Sequence, residues 1–359
     1  FTDDASTTNI DKTSHVPPVL TRTWFHTGVY LGRDHISNFF AGLLDEHDTG
    51  EYYREPGLTD AQARTLLLPD TVLPDGLTVE EEREACRALK GAMLRQEVYA
   101  LDGTPKAKHP YTVTEQNFTI KQLQPRKGNR HSVFFTHARE AINYHYERNS
   151  EDPRVSHALT LEVDGYGNVL KSAAIAYGRR KDSTDAELSP EERKKQRLIH
   201  MTCTENRFTR PYNTAINPSN RIGSVAIDED DAYRAPLPAE TRTYELRKAQ
   251  QEQSAEGRTE LFHFDDVLAK VIQAGDGKHD VSYEDLEFNR AKEIIANDPG
   301  QREKYFRRLI EHVRMRYRKN DLSAMLPFGQ FQSLALPGES YTLAFTPGLL
   351  DVYKSKITS

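Results

Sequence analysis

A chain of 359 residues with 37% hydrophobic residues and a mean hydropathy of −0.72 is long enough to bury a core, but it is wetter than a compact enzyme of that size. Charged residues make up 28% with both signs interleaved and a net charge of −6, which leaves no global nucleic-acid or membrane signature. Cys86 and Cys203 are too few for a disulfide framework, no apolar run is long enough to span a membrane, and no signal peptide is legible.

In chain order, residues 1–18 are polar and close with Pro17-Pro18, which reads as a linker or rim; the first residue is Phe1, as in a fragment or a trimmed chain. Residues 19–26, with the single Trp24, read as a strand. Residues 33–57 mix aromatics with acids in an irregular, partly helical excursion. Thr59 with Gln62 and Thr78 with Glu81 are N-caps with an acceptor three residues on, so two helices are expected, the second over 79–93 with Cys86 and Leu89 inward. From Leu94 the period changes to two. Strands are expected over 96–101, 111–123, 132–137 and 141–148.

The clearest unit is 157–178. Leu159, Leu161 and Val163 alternate with Thr160, Glu162 and Asp164. Asp164-Gly165-Tyr166-Gly167-Asn168 then tolerates positive φ and bonds its own backbone, and a second strand returns through Val169, Ala173, Ile175 and Tyr177. This is a hairpin. Beyond it, Ser189-Pro190 starts a short helix, 197–208 and 241–246 read as strands, and 213–223 as a loop. Helices are expected over 261–273 and 283–296, the latter capped near Ser282. The stretch 301–319 fits either period, with a strand favoured from Leu309; 335–345 is strand-like, and Pro347-Gly348 opens a helical turn. Hairpins with a turn every dozen or so residues predict a mainly β, antiparallel meander with α-helical insertions.

No constellation for catalysis stands out, and no catalytic, cofactor-binding or metal-ligating residue is assigned. His200 and Cys203 lie three apart in a period-two strand and so point to opposite faces. Asp45, Glu46, His47, Asp48 and Glu51 miss the ligand spacing of a calcium loop. The Glu-x-Glu within Glu80, Glu81, Glu82 and Glu84, a motif shared with mono-ADP-ribosyltransferases, has a sufficient electrostatic reason to stand at a helix start. The basic run from Arg302 through Arg307, Arg308, Arg314, Arg316 and Arg318 to Lys319 is diluted by Glu303 and Glu311. Gly338-Glu339-Ser340 lacks the second glycine of a nucleophile elbow.

Several long strings resemble the B component of the bacterial tripartite insecticidal toxin complexes (Tc toxins). They are PPVLTRTWFHTG (17–28), YTVTEQNFTI (111–120), the whole of 144–180, PLPAETRTYEL (236–246), RRLIEHVR (307–314) and LPGESYTLAFTPGLL (336–350). The resemblance places the chain in the middle/C-terminal part of that component, before its RHS (YD) repeats; Val163 stands where a YD repeat carries its tyrosine. It implies an antiparallel strip of RHS-shell type divided as 1–18 linker or rim, 19–178 TcB-like region with a helical insertion near 59–93 and a meander over 94–178, and 179–359 a continuing shell segment with helical insertions near 189–196 and 261–296. It implies a non-catalytic role in a secreted toxin complex: part of a cocoon that, with the C component, encloses a cytotoxic effector, and that meets the A component through other regions, without cofactor, nucleic acid or direct membrane insertion. The C component's autoproteolytic aspartates map onto nothing here. Two readings compete with this one: an RHS-type surface binding module recognising carbohydrate or a neighbouring cell, and, less favoured, an ADP-ribosyltransferase-like enzyme.

Overall fold

The computed structural model describes residues 17–39, 50–181, 187–212, 221–223, 228–249 and 260–357. Most of the 1–18 linker, the acidic group Asp45 to Asp48 and most of the 213–223 loop lie outside them. The fold is mainly antiparallel β, and residues 1–155 and 156–359 form two compact units.

In the first unit the strands lie in chain order: β1 (Val19–Phe25), β2 (Met93–Ala100), β3 (Thr112–Gln124) and β4 (Val133–His145), each antiparallel to the last. Helices α1 (Asp60–Leu66) and α2 (Val79–Ala88) begin at Thr59 and Thr78, each with the reciprocal capping box its sequence announced. The α2 face carrying Ala85, Cys86 and Leu89 packs on Leu94, Phe118 and Ile120. Two expectations fail here. α2 stops at Ala88 rather than running to Met93, because Gly91 takes a left-handed conformation (φ 85°) and β2 starts two residues later. The two strands expected over 132–148 are one: the break in alternation at Ala138-Arg139-Glu140 is a bulge, where the register passes from Asn117↔Glu140 to Phe118↔Ala138.

The second unit orders its strands β5 (Arg154–Val163), β6 (Val169–Tyr177), β7 (His200–Phe208), β8 (Pro238–Lys248), β10 (Tyr305–Tyr317) and β11 (Pro337–Thr342), with the two-residue β9 (Asp280–Val281) parallel to β10. The β5–β6 turn is built as its residues suggest. The Asp164 carboxylate accepts from the Tyr166 and Asn168 backbone N–H groups at 2.8 and 2.9 Å, Gly167 sits at φ 86°, and Arg221 donates to the same carboxylate. Gly178 leaves β6 so close to the backbone of Arg197 that a Cβ there would lie 2.2 Å from its carbonyl carbon, which excludes any side chain. α3 (Pro190–Gln196) has the expected cap at Ser189. α4 (Phe264–Ala274) lays Val267, Val271 and Ala274 on Leu159, Leu161, Ala173, Ile175, Met201, Cys203, Tyr244 and Leu246.

α5 (Asn289–Asn297) begins six residues later than expected. Ser282 is not its cap; the Asp285 carboxylate accepts from Asn289 and Arg290 N–H, both at 2.8 Å, after a left-handed Phe288. β10 is strand from Tyr305, four residues before the expected start. Tyr305 packs with the α4 side and Phe306 with the α5 side, so both faces are covered and the alternation that would have betrayed a strand is absent. The closing turn is a helix, α6 (Pro347–Ile357).

Candidate functional site

Alternation in β5 to β8 sorts side chains onto two faces with different chemistry. One face is the core beneath α4. The other carries Ala158 and Thr160, Ser172, Ala174 and Ala176, Thr202, Thr204 and Asn206, and Thr241 and Thr243, all exposed or half-buried. Register sets Ser172, Thr204 and Thr243 side by side, and Asn206 beside Thr241. Their polar groups bond laterally: Thr241 Oγ1 donates to Asn206 Oδ1 at 2.9 Å, the Thr204 and Thr243 hydroxyls meet at 3.4 Å, and Asn206 Nδ2 donates to the Val169 carbonyl at 3.0 Å. Charge returns at the margin, where Arg308 and Glu245 pair at 2.8 Å.

The first unit has a face of the same kind beyond the reach of α2. Thr23, Gln96, Thr114 and Asn143 lie in one row across four strands. Gln96 Nε2 donates to Thr23 Oγ1 at 3.3 Å, Thr114 Oγ1 to Asn143 Oδ1 at 2.7 Å, and Gln116 Nε2 to the Met93 carbonyl at 2.6 Å. In a chain that is 28% charged, these rows of Thr, Ser, Ala, Asn and Gln are a distinct surface, bordered by charge where Thr243 donates to Glu311 at 3.2 Å and Thr202 lies beside Glu245, and by His200 beside Ala176. Tight, specific recognition relies on aromatic and arginine anchors seated in pockets. These faces offer short side chains, several of whose donors are already engaged with a neighbour.

The reactive residue types are occupied elsewhere. Cys203 is buried on the covered face with its thiol pushed up to about 12 by burial, and His200 is exposed on the other, so no thiol–imidazole pair forms. Burial likewise raises Cys86 to about 11. The glutamates of α2 clasp neighbouring segments: Glu81 accepts from Thr78, Gln122, Arg126 and Ser132, Glu82 from Arg33 and Tyr30, and Glu84 from Ser132 at 2.9 Å. Part of the basic run is paired, Arg307 with Glu205 and Asp280, Arg308 with Glu245, and Arg318 with Glu339. Gly338-Glu339-Ser340 lies within the flat edge strand β11. Among the described residues no group of three His, Cys, Asp or Glu side chains could hold a metal ion.

Two buried carboxylates escaped sequence reasoning. Glu115 is fully buried opposite Arg95, accepts from the Tyr53 N–H, and is raised to about 8 because burial outweighs both that bond and the Arg95 charge. Arg95 also stacks over the Trp24 ring at 3.6 Å and pairs with Glu97 at 3.3 Å. Glu240 shows the reverse balance: burial opposes its charge, but hydrogen bonds from His312 and Arg314 and the Arg242 charge hold it at about 2. Only pairing across strands assembles these groups, so no local motif announces them.

Residues 84–223 match the family model described as the insecticide toxin TcdB middle/C-terminal region. No curated protein matches the chain. Among solved structures, a TcdB2-TccC3-Cdc42 crystal structure is 20% identical with a TM-score of 0.58, covering 94% of this chain and 14% of that one. A TcdB2-TccC3 crystal structure matches at 20% identity and TM-score 0.58, covering 95% and 14%. A Photorhabdus luminescens Tc holotoxin pore matches at 21% and 0.57, covering 94% and 13%. The chain thus spans about one-seventh of the length of these structures, which share its fold. On the family match and that common fold, residues 84–223 are similar to the middle/C-terminal region of the Tc insecticidal toxin B component.

Proposed function

We propose that this chain is a non-catalytic structural segment of a Tc toxin B component, forming part of the β-shell that encloses a cytotoxic effector together with an RHS-bearing C component. The observation that carries this reading is the chemistry of the open rows: short polar side chains, several of them tied to cross-strand neighbours by hydrogen bonds. A polypeptide lying against these short side chains gains little purchase, which suits a container that must later release its contents. The family match and the holotoxin likeness support the same role. In it, 1–18 is a linker or rim, 19–178 is the TcB-like region and 179–359 continues the shell. The C component and its effector are the direct partners, the A component is met through other regions, and the complex acts outside the producing cell.

Carbohydrate recognition would call for an aromatic platform, and the open rows hold none. The test is co-expression of the full B chain that contains this segment with its C component, followed by protease protection of the effector. Wild type protects and releases it; Thr202→Phe with Thr204→Phe should still protect but slow release several-fold. Effector left open to protease in the wild-type complex overturns the reading, as does glycan binding or NAD turnover by this chain alone.

A further inference from the structure

One buried carboxylate on β8 serves more cations than it can satisfy. Glu240 is 2% exposed. Its Oε1 accepts from His312 Nε2 at 2.7 Å, Arg314 Nε at 2.9 Å and Arg242 Nη2 at 3.2 Å, while Oε2 accepts from Arg207 Nη1 at 3.2 Å. Three strands deliver these groups: register sets Arg207 and Arg314 directly beside Glu240, and His312 beside Arg242. The other carboxylate of the neighbourhood, Glu205, sits across from Arg242 but is held by Arg307 at 3.0 Å.

Among the described residues, three guanidinium groups against one carboxylate leave two positive charges uncompensated even with His312 neutral. The surplus is not sealed in. The Arg207, Arg242 and Arg314 side chains are 48%, 33% and 49% exposed, while Glu240 below them is 1% exposed. Each guanidinium has five N–H donors in a planar fork and commits one of them to Glu240. Arg314 is also braced over the Phe328 ring at 4.9 Å, which limits its wandering. Like charges gathered this closely repel, and the arrangement is most stable with a second anion above the first.

We propose that Arg207, Arg242 and Arg314 form an oxyanion-binding crown over Glu240, taking a carboxylate or phosphate group from solvent. Bidentate guanidinium contacts select planar or tetrahedral oxyanions over chloride. The site is separate from the open faces, since Glu240 shares its side of the sheet with Tyr244.

Calorimetric titration of the chain with inorganic phosphate, and separately with a hexaglutamate peptide, at ionic strength balanced by chloride, tests this. Saturable binding of at least one probe is expected, weakened tenfold or more in the Arg207→Gln, Arg314→Gln double variant and unchanged in Arg154→Gln, whose guanidinium pairs with Glu147 elsewhere. The tighter probe identifies the source as free phosphate or a peptide carboxylate. Should the double variant fail to fold, Arg207→Gln alone, at a half-exposed position, is expected to weaken binding at least threefold. No saturation with either probe, or equal affinity in the folded variants, overturns the proposal.

Discussion

Two buried carboxylates contribute to this protein's pH response in opposite directions. Glu115 has an ordinary value of 4.5 and a folded value of about 8, so the folded chain keeps a proton that the unfolded chain loses. Its contribution to stability therefore falls as pH rises from about 4.5 to about 8 and is constant above that. Glu115→Gln keeps an oxygen for the Tyr53 N–H and has no charge to bury. Its urea midpoint should gain on wild type across that window, reaching on the order of a few kcal/mol at pH 8, and parallel curves at pH 5 and pH 8 would contradict the assignment. Glu240, held at about 2, works the other way: its contribution is complete above 4.5 and is lost as pH falls through 2. Glu240→Gln should flatten the acid limb of the stability profile without altering the alkaline one. At the same scale, Cys86 and Cys203 should resist a thiol reagent until unfolding, since both are buried and burial suppresses the thiolate. Labelling of either at native-state rates would show that the sheet opens locally.

At the scale of elements, the hairpin of β5 and β6 and the caps at Thr59, Thr78 and Ser189 were legible because each is written within a few neighbouring residues. The start of β10 was not. Tyr305 and Phe306 are both buried, by helices that arrive from elsewhere in the chain, and local periodicity cannot register such cover. The long strand β4 was hidden for a related reason: its bulge interrupts the period but not the ladder. Packing against α4 dominates the second unit, so Ile175→Ala, at 1% exposure, should cost about 2–5 kcal/mol in chemical denaturation. A cost below about 1 kcal/mol would mean the site collapses around the loss.

At the scale of the whole molecule, each unit carries a strand that invites company. In the second, all six residues of β11 are exposed, Tyr341 among them, and Leu343, Phe345, Leu350 and Tyr353 follow in an exposed apolar series. In the first, β1 leaves Val19 and Phe25 exposed. Unpaired strand edges with apolar neighbours template further pairing, so the polypeptide on its own should self-associate, seen as a sedimentation coefficient that rises with concentration. A monodisperse, cooperatively melting monomer would count against that.

The sequence by itself determined the fold class, the turn chemistry of the β5–β6 hairpin and the helix starts at Thr59, Thr78 and Ser189, because each is written in residues close in the chain. Its long strings also carried the likeness to the toxin family, later met by the match over residues 84–223. Only tertiary structure decided which sheet face is covered, that Thr23, Gln96, Thr114 and Asn143 form one uncharged row, and that Arg207, Arg242, His312 and Arg314 converge on Glu240. Those arrangements join residues up to 120 positions apart through strand register, and register is a property of paired strands that no single stretch of chain contains.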